Sequence, residues 1–296
     1  MSAPEQPWSV KRLLEWTTKY LADKGCEFPR LDAEVLLAHV LKCKRIQVYT
    51  RFEEIATDEM RAQFRDLIRQ RVEGCPVAYL VGRKDFFSLE LEVSRDVLIP
   101  RPDSETVVNE CLRLAKEMPA PTILDIGTGS GNLAVALAKQ HKTAAVTAID
   151  VSPAALAVAQ RNAAKHGVAK RIRFLEGSVF EPLTAEERFD FIVSNPPYIP
   201  HDVIATLEAG VRDYEPHMAL DGGPTGFAVF DRLIAEAPRH LKVGGYLLIE
   251  IGTPQEMHAR ERLLAHGGYE LGKTILDAAG HPRVLRAAYS SEPRTQ

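Results

Sequence analysis

Cysteine is scarce in this sequence. Only Cys26, Cys43, Cys75 and Cys111 occur, and no two of them form a C-x-x-C pair. Zinc-site spacing is therefore missing and a disulfide framework is not expected in so long a chain, which leaves free buried thiols and no metal site. Also missing is any uninterrupted apolar run of membrane-spanning length, so no membrane partner is expected. The opening Met-Ser-Ala-Pro-Glu-Gln-Pro has neither the basic start nor the apolar core of a secretion signal, and a cytoplasmic location is the expectation. A basic excess is absent too: 37 Lys and Arg stand against 40 Asp and Glu, a formal charge of −3. That balance argues against a direct nucleic-acid target. There are no internal repeats.

What remains is an ordinary globular composition, 45% hydrophobic and 26% charged over 296 residues, long enough for one large domain and a smaller one. The first stretch reads as helices. Val10, Leu13, Leu14 and Leu21 share a helical face before Gly25; Val35, Leu36, Val40 and Leu41 mark a second helix. A third starts near Thr57, a candidate N-cap, and carries Met60, Phe64, Leu67, Ile68 and Val72. Residues 1–83 are accordingly predicted to form a small helical domain. Phe86 to Val93 alternates apolar and polar residues as a half-buried strand does, Ser94-Arg95-Asp96 offers a turn, and Val97 to Ile99 is placed to pair back. This predicts a connecting β-hairpin over 84–100.

From Arg101 onward strands and helices alternate. Short apolar strands are predicted at Thr122–Ile126, Ala145–Ile149, Ile172–Leu175, Phe189–Val193 and Tyr246–Ile251. Ser104 precedes one helix, and Ser152-Pro153 opens another as N-cap and first-turn residue. Near-continuous apolar strands separated by helices indicate an α/β domain with a parallel sheet covered on both faces, here 101–290, followed by a loose tail at 291–296.

Two motifs lie at the carboxyl edge of that sheet. Asp125-Ile-Gly127-Thr128-Gly129-Ser130-Gly131-Asn132 follows the first strand and opens a helix. Glycines there allow a tight turn and close approach of backbone to ligand. Asp150 ends the next strand, 19 residues beyond Gly131, where a carboxylate accepts from ribose hydroxyls. Such a turn also serves packing alone, but its pairing with Asp150 points to a nucleoside-bearing cofactor. The dinucleotide fingerprint requires G-x-G-x-x-G, and the spacing here is G-x-G-x-G, leaving NAD the weaker candidate.

Asn195-Pro196-Pro197-Tyr198 ends the fourth strand on the same edge. An amide nitrogen is a weak nucleophile because its lone pair is delocalised into the carbonyl. The Asn195 side-chain carbonyl and the Pro196 backbone carbonyl are acceptors suited to its two N–H groups, and the prolines fix them in advance. Tyr198 has a flat face to set against a planar amide. An isolated Asn-Pro is only a turn signal; four residues at this strand end say more.

The glycine loop resembles motif I of the class I (Rossmann-like) S-adenosylmethionine methyltransferases. Asn195 to Tyr198 resembles the signature of those acting on planar, conjugated nitrogens. Further stretches narrow the resemblance: Glu73-Gly-Cys-Pro-Val-Ala-Tyr-Leu-Val-Gly82, Val97-Leu-Ile-Pro-Arg101-Pro102-Asp103-Ser104-Glu105, Tyr214-Glu215-Pro216 and Ala219-Leu-Asp221-Gly-Gly223. In this order they are similar to the HemK/PrmC family of release-factor glutamine methyltransferases, over nearly the whole chain. The resemblance implies a class I domain preceded by a helical domain that helps engage a class 1 peptide chain release factor. It also implies S-adenosyl-L-methionine as cofactor and S-adenosyl-L-homocysteine as product. The substrate would be the glutamine of a Gly-Gly-Gln motif, methylated at N5, and the protein a monomer.

By position, Gly127, Thr128, Gly129, Ser130 and Gly131 would line the methionine and ribose, Asp150 would hold the ribose, and Ser178 and Val179 would lie near the adenine. Asn195 would touch both cofactor and substrate, while Pro196, Pro197 and Tyr198 would complete the grip on the glutamine. Ser178 and Val179 depart from the acidic-aromatic pair common at those positions, and Ser104 replaces the commoner threonine. Arg101 and Glu105 read equally well as a structural ion pair or a helix start. Alternatives are a ribosomal-protein glutamine methyltransferase, an adenine-N6 DNA methyltransferase and a binding module without activity. No target-recognition insertion favours the DNA enzyme, and the intact Asn195 to Tyr198 motif disfavours the inactive module.

Overall fold

The computed structural model describes residues 7–290, so the expected tail at 291–296 lies outside them. The chain forms two compact units. One runs as far as Gly82 and also takes in Ala209–Tyr214; the other contains Arg83–Glu208 and the chain from Glu215 onward.

The first unit is helical: α1 (Val10–Asp23), α2 (Pro29–Val40), α3 (Gln47–Thr50), α4 (Asp58–Val72) and α5 (Val77–Val81). Its core is built from the apolar faces the periodicity foretold, with Leu14, Leu36, Val40, Phe64 and Ile68 buried together. Thr57 caps α4 as expected, its Oγ1 accepting from the Met60 N–H at 3.2 Å. Glu34 is buried among Arg30, Arg45 and Tyr49, which hold its carboxyl below the usual range although burial pushes the other way.

The second unit opens with a hairpin, β1 (Arg83–Phe86) and β2 (Leu89–Glu92). Here the structure departs from expectation. The chain reverses at Phe87-Ser88, and Val97 to Ile99 form no strand. Phe87 and Ser88 both have positive φ, 48° and 60°. A two-residue turn of this hand is usually announced by Asn-Gly. With Phe-Ser in its place, the apolar alternation runs straight through the turn in the sequence.

Then follow α6 (Glu105–Ala115), β3 (Thr122–Ile126), α7 (Asn132–Gln140), β4 (Ala145–Asp150), α8 (Pro153–Lys165), β5 (Ile172–Glu176) and β6 (Phe189–Ser194). After α9 (Ala209–Arg212) of the helical unit come α10 (Ala228–Glu236), β7 (Leu241–Glu250), α11 (Glu256–His266), β8 (Tyr269–Leu271), β9 (Ile275–Leu276) and β10 (Pro282–Tyr289). The sheet order is β5-β4-β3-β6-β7-β10-β8, with β9 also on β10. The first five strands are parallel; β10 runs antiparallel to β7 and β8. Alternate residues face opposite layers: Ile123, Val146 and Phe191 pack under α6, α7 and α8, and Leu124, Ile149 and Ile192 under α10 and α11. Full burial of each such side chain contributes about 1.5–3 kcal/mol. Cys75 and Cys111 are buried free thiols as expected, whereas Cys26 and Cys43 are partly exposed, a correction to that reading.

β3 is the point from which β4 and β6 diverge, and ligands of open α/β sheets bind at such a crevice. The hairpin is tied to it. Asn162 of α8, fully buried, accepts from the Glu92 N–H at 2.7 Å and donates to the carbonyls of Glu92 and Ser130, both at 2.9 Å.

Candidate active site

The loop after β3 is shaped by its own hydrogen bonds. Gly127, Gly129 and Gly131 all take positive φ, which an L side chain resists. The Gly127 and Thr128 N–H groups donate to Ile149 O at 2.9 and 3.0 Å. Beneath them Asp125 Oδ2 accepts from Thr128 Oγ1 at 2.6 Å and from the Ala134 N–H at 3.2 Å. Burial pushes the Asp125 carboxyl up to about 7 despite those two donors. Asp150 Oδ2 accepts from the Gly129 N–H at 2.8 Å and Oδ1 from the Ser152 N–H at 3.0 Å, while burial raises this carboxyl too.

Of the expected cofactor residues, Gly127, Thr128, Gly129, Ser130, Asp150, Ser178, Val179 and Asn195 line one cavity. Gly131 does not line it. A Cβ there would meet the Ala159 Cβ at 3.0 Å, so its glycine lets α7 and α8 approach. Ser178 Oγ accepts from Arg232 Nη1 at 2.7 Å, and Val179 is held at a φ of 54°, a strained backbone for a β-branched residue. Two buried polar atoms at the loop, Asp125 Oδ1 and Ser130 Oγ, have no hydrogen-bond partner. Unpartnered buried oxygens, a cradle without side chains and an edge carboxylate together fit a polar, nucleoside-bearing ligand.

The Asn195 turn closes the same cavity through Asn195 and Pro197; Pro196 and Tyr198 are not on its wall. Asn195 Nδ2 donates to Ser104 Oγ at 3.0 Å, which leaves the amide oxygen uncommitted by that contact. The Tyr198 ring packs beside Gly252, where a Cβ would lie 3.3 Å from the ring, and burial raises its phenol pKa. Gln255 Nε2 donates to Tyr198 O and Gly226 O, both at 3.1 Å, and Gly252 N donates to Gln255 Oε1 at 3.0 Å. At Gly226 a Cβ would fall 2.4 Å from Tyr198 O, so no larger residue is tolerated under the turn. Sequence reasoning singled out neither Gln255 nor Gly226; the Ile251-Gly-Thr-Pro-Gln255 turn after β7, on the same sheet edge, was the available signal.

Arg101 and Glu105 do not pair with each other. Arg101 Nη2 reaches Glu215 at 2.5 Å, and Glu105 accepts from the Phe87 N–H at 2.8 Å. Glu215 also takes the buried Ile99 N–H at 3.1 Å. Among the described residues no cluster of three or more His, Cys, Asp or Glu is arranged for a metal, and no helix is long and apolar enough to cross a membrane.

Two family domains match: the PrmC N-terminal domain over residues 12–82 and the methyltransferase small domain over 107–209. The release factor glutamine methyltransferase of Rhodopirellula baltica is 43% identical over 285 residues, covering 95% of this chain and 96% of the relative. That of Geobacter sulfurreducens is 44% identical, covering 86% and 88%. The chain belongs to the release factor glutamine methyltransferase family. Among solved structures, a methyltransferase from Pyrococcus furiosus aligns over 76% of this chain and 98% of its own, at a TM-score of 0.52 and 23% identity. The hMettl16 catalytic domain aligns over 78% and 84%, at 0.57 and 15%. At such identities these two show the fold alone, the class I arrangement expected for a release factor glutamine methyltransferase.

Proposed function

We propose that this chain methylates N5 of the glutamine in the Gly-Gly-Gln motif of a class 1 peptide chain release factor, converting S-adenosylmethionine to S-adenosylhomocysteine. The observation that carries the reading is that Asn195 and the Gly127 to Ser130 loop share one cavity wall. When bound, S-adenosylmethionine supplies an electrophilic methyl group on a sulfonium. The loop backbone would hold its methionine portion, Asp150 the ribose hydroxyls, and Ser178 and Val179 the adenine end.

Asn195 Oδ1 on the cavity wall accepts one N–H group of the glutamine amide, and the carbonyl of Pro196, which the chain places between the wall residues Asn195 and Pro197, accepts the other. This turns the nitrogen lone pair toward the methyl for in-line displacement and draws electron density onto nitrogen as the bond forms. Ser104 keeps the Asn195 amide from rotating, and the paired prolines keep the backbone carbonyl in place. No strong base is needed, because the nitrogen becomes acidic once methylated and water takes its proton. Tyr198 braces the turn from behind.

Every group invoked comes from one chain, so a monomer suffices. The partner is a protein of the translation machinery, which sets the work in the cytoplasm, and no nucleic acid takes part in the transfer. Purified release factor, a large-subunit ribosomal protein and DNA, each incubated with enzyme and labelled cofactor, test the reading. Label on the release-factor glutamine alone is expected; label on the ribosomal protein or DNA instead overturns it.

A further inference from the structure

β10 runs antiparallel to β7, so its amino end returns to the sheet edge where the site lies. Arg283, near that end of β10, is 8% exposed. An arginine is seldom so buried unless its planar fork of donors is taken up on several sides. Nε and Nη2 donate to Asp277 Oδ2 at 3.2 and 3.1 Å. Asp277 is fixed in turn by the Ala279 and His281 N–H groups, which donate to its Oδ1 at 2.9 Å each. The rest of the fork reaches elsewhere. Nη2 pairs with Asp103 Oδ2 at 3.1 Å and donates to Thr253 Oγ1 at 3.4 Å, and Nη1 donates to Ile251 O at 3.3 Å.

Those last three partners belong to the two segments that hold the Asn195 turn. Asp103 sits in the Pro102–Ser104 turn, next to the serine whose Oγ accepts from Asn195 Nδ2 at 3.0 Å. Ile251 and Thr253 flank Gly252, whose N–H holds the Gln255 side chain; that side chain donates to Tyr198 O at 3.1 Å. Asn195 and Tyr198 are thus gripped by separate supports, one ahead of α6 and one after β7. A single guanidinium spans both.

We propose that Arg283 is a positioning residue for methyl transfer. It locks the two supports together and so sets the spacing between the Asn195 side-chain oxygen and the Pro196 carbonyl. It does not line the cofactor cavity and acts only through the supports. This rests on the reading of Asn195 and Pro196 given above. Without the fork each support keeps its own hydrogen bonds, so the turn survives while its two acceptors shift apart. A misplacement of about 1 Å at the reacting groups costs up to about 10²-fold in rate.

The test is kcat, cofactor KM and cofactor binding by calorimetry for Arg283→Lys, Asp103→Ala, Thr253→Val, Ser104→Ala, Asn195→Ala and the Arg283→Lys/Ser104→Ala double variant. Each is assayed well below its thermal midpoint, so that kcat reports folded enzyme. Lysine keeps the charge and loses the fork. Arg283→Lys should lower kcat about tenfold or more, with cofactor KM and Kd within about twofold of wild type. Asp103→Ala and Thr253→Val each cut one arm and should each lose at least about threefold. Because Arg283 and Ser104 act on one turn, the double variant's loss should fall at least about threefold short of the product of the single losses.

A folded Arg283→Lys enzyme with kcat within about twofold of wild type overturns the proposal, as do single losses that simply multiply. Should Arg283→Lys fail to bind cofactor, the two arm variants decide: losses in both support the clamp, and wild-type kcat in either overturns it. Transfer retained by Asn195→Ala overturns the underlying reading of Asn195. An inactive Asn195→Ala beside a wild-type-like Arg283→Lys sinks the clamp alone.

Discussion

Asn195 Nδ2 donates to Ser104 Oγ across 91 residues of sequence, joining the turn after β6 to the segment that leads into α6. A side-chain amide held at one end has its other end defined as well. Catalysis by positioning depends on this, because a donor or acceptor already in place needs no reorganisation as charge develops.

Asn195→Ala should therefore lower kcat by about 10²-fold or more, the scale seen when one preorganised polar group is removed from a transition state. Cofactor affinity should change little, since the glycine loop and Asp150 are untouched. Mass spectrometry of the release-factor Gly-Gly-Gln peptide, with calorimetry of cofactor binding, checks both halves; equal activity would break the proposed role.

Gly131→Ala should destabilise the protein by about 1–2 kcal/mol, because its φ of 78° is left-handed and costly for a side chain. The new Cβ also presses on Ala159, so α7 and α8 must separate slightly and the loop above them should bind cofactor less tightly. The urea midpoint measures the first effect and a cofactor titration the second.

Glu215 is 4% exposed and receives the buried Ile99 N–H. Glu215→Ala should cost about 1–3 kcal/mol by stranding that donor, whereas Glu215→Gln keeps an acceptor and should recover much of the loss. If alanine and glutamine prove equally destabilising by chemical denaturation, the Arg101 ion pair rather than the Ile99 bond supplies the stability.

A pH dependence follows from Asp125. Its native pKa lies near 7, well above the ordinary 3.8 that the unfolded chain returns to. The unfolded form therefore sheds its proton first, and this group's contribution to stability is lost as pH rises from about 4 to about 7. Glu250 acts in the same direction. Carboxyls held low by cationic partners, such as Glu110 beside Arg113 and Arg286, contribute the opposite slope as pH falls further. Comparing wild type with Asp125→Asn isolates the first effect: the variant should gain relative stability toward neutral pH, and parallel curves would refute it.

The core strands were legible because parallel strands covered on both sides are largely apolar along their length, as Thr122–Ile126 and Phe189–Ser194 are apart from a few polar residues. The glycine loop, Asp150 and Asn195 were legible for another reason: tight turns and strand-end polar groups have few other uses. What stayed hidden depends on distant partners. Nothing near Asn162 in sequence says that it binds Glu92 and Ser130, and nothing near Asn195 points to Ser104. The turn at Phe87-Ser88 was hidden because its positive φ angles are borne by residues that seldom adopt them. Strand β10 was also missed: its order in the sheet is set by pairing with β7, not by any local signal.

The short stretch Ala209–Tyr214 belongs to the helical unit, although the polypeptide on both sides of it belongs to the sheet unit. Tyr214 Oη donates to Glu73 O at 3.1 Å, and a Cβ on Gly210 would sit 3.3 Å from Gly74 O. Neither half can therefore be exchanged at a single splice point. A chimaera joined at Gly82 with a relative's amino-terminal part would keep a foreign Ala209–Tyr214, and its amino-terminal part should melt early unless those residues are transplanted with it.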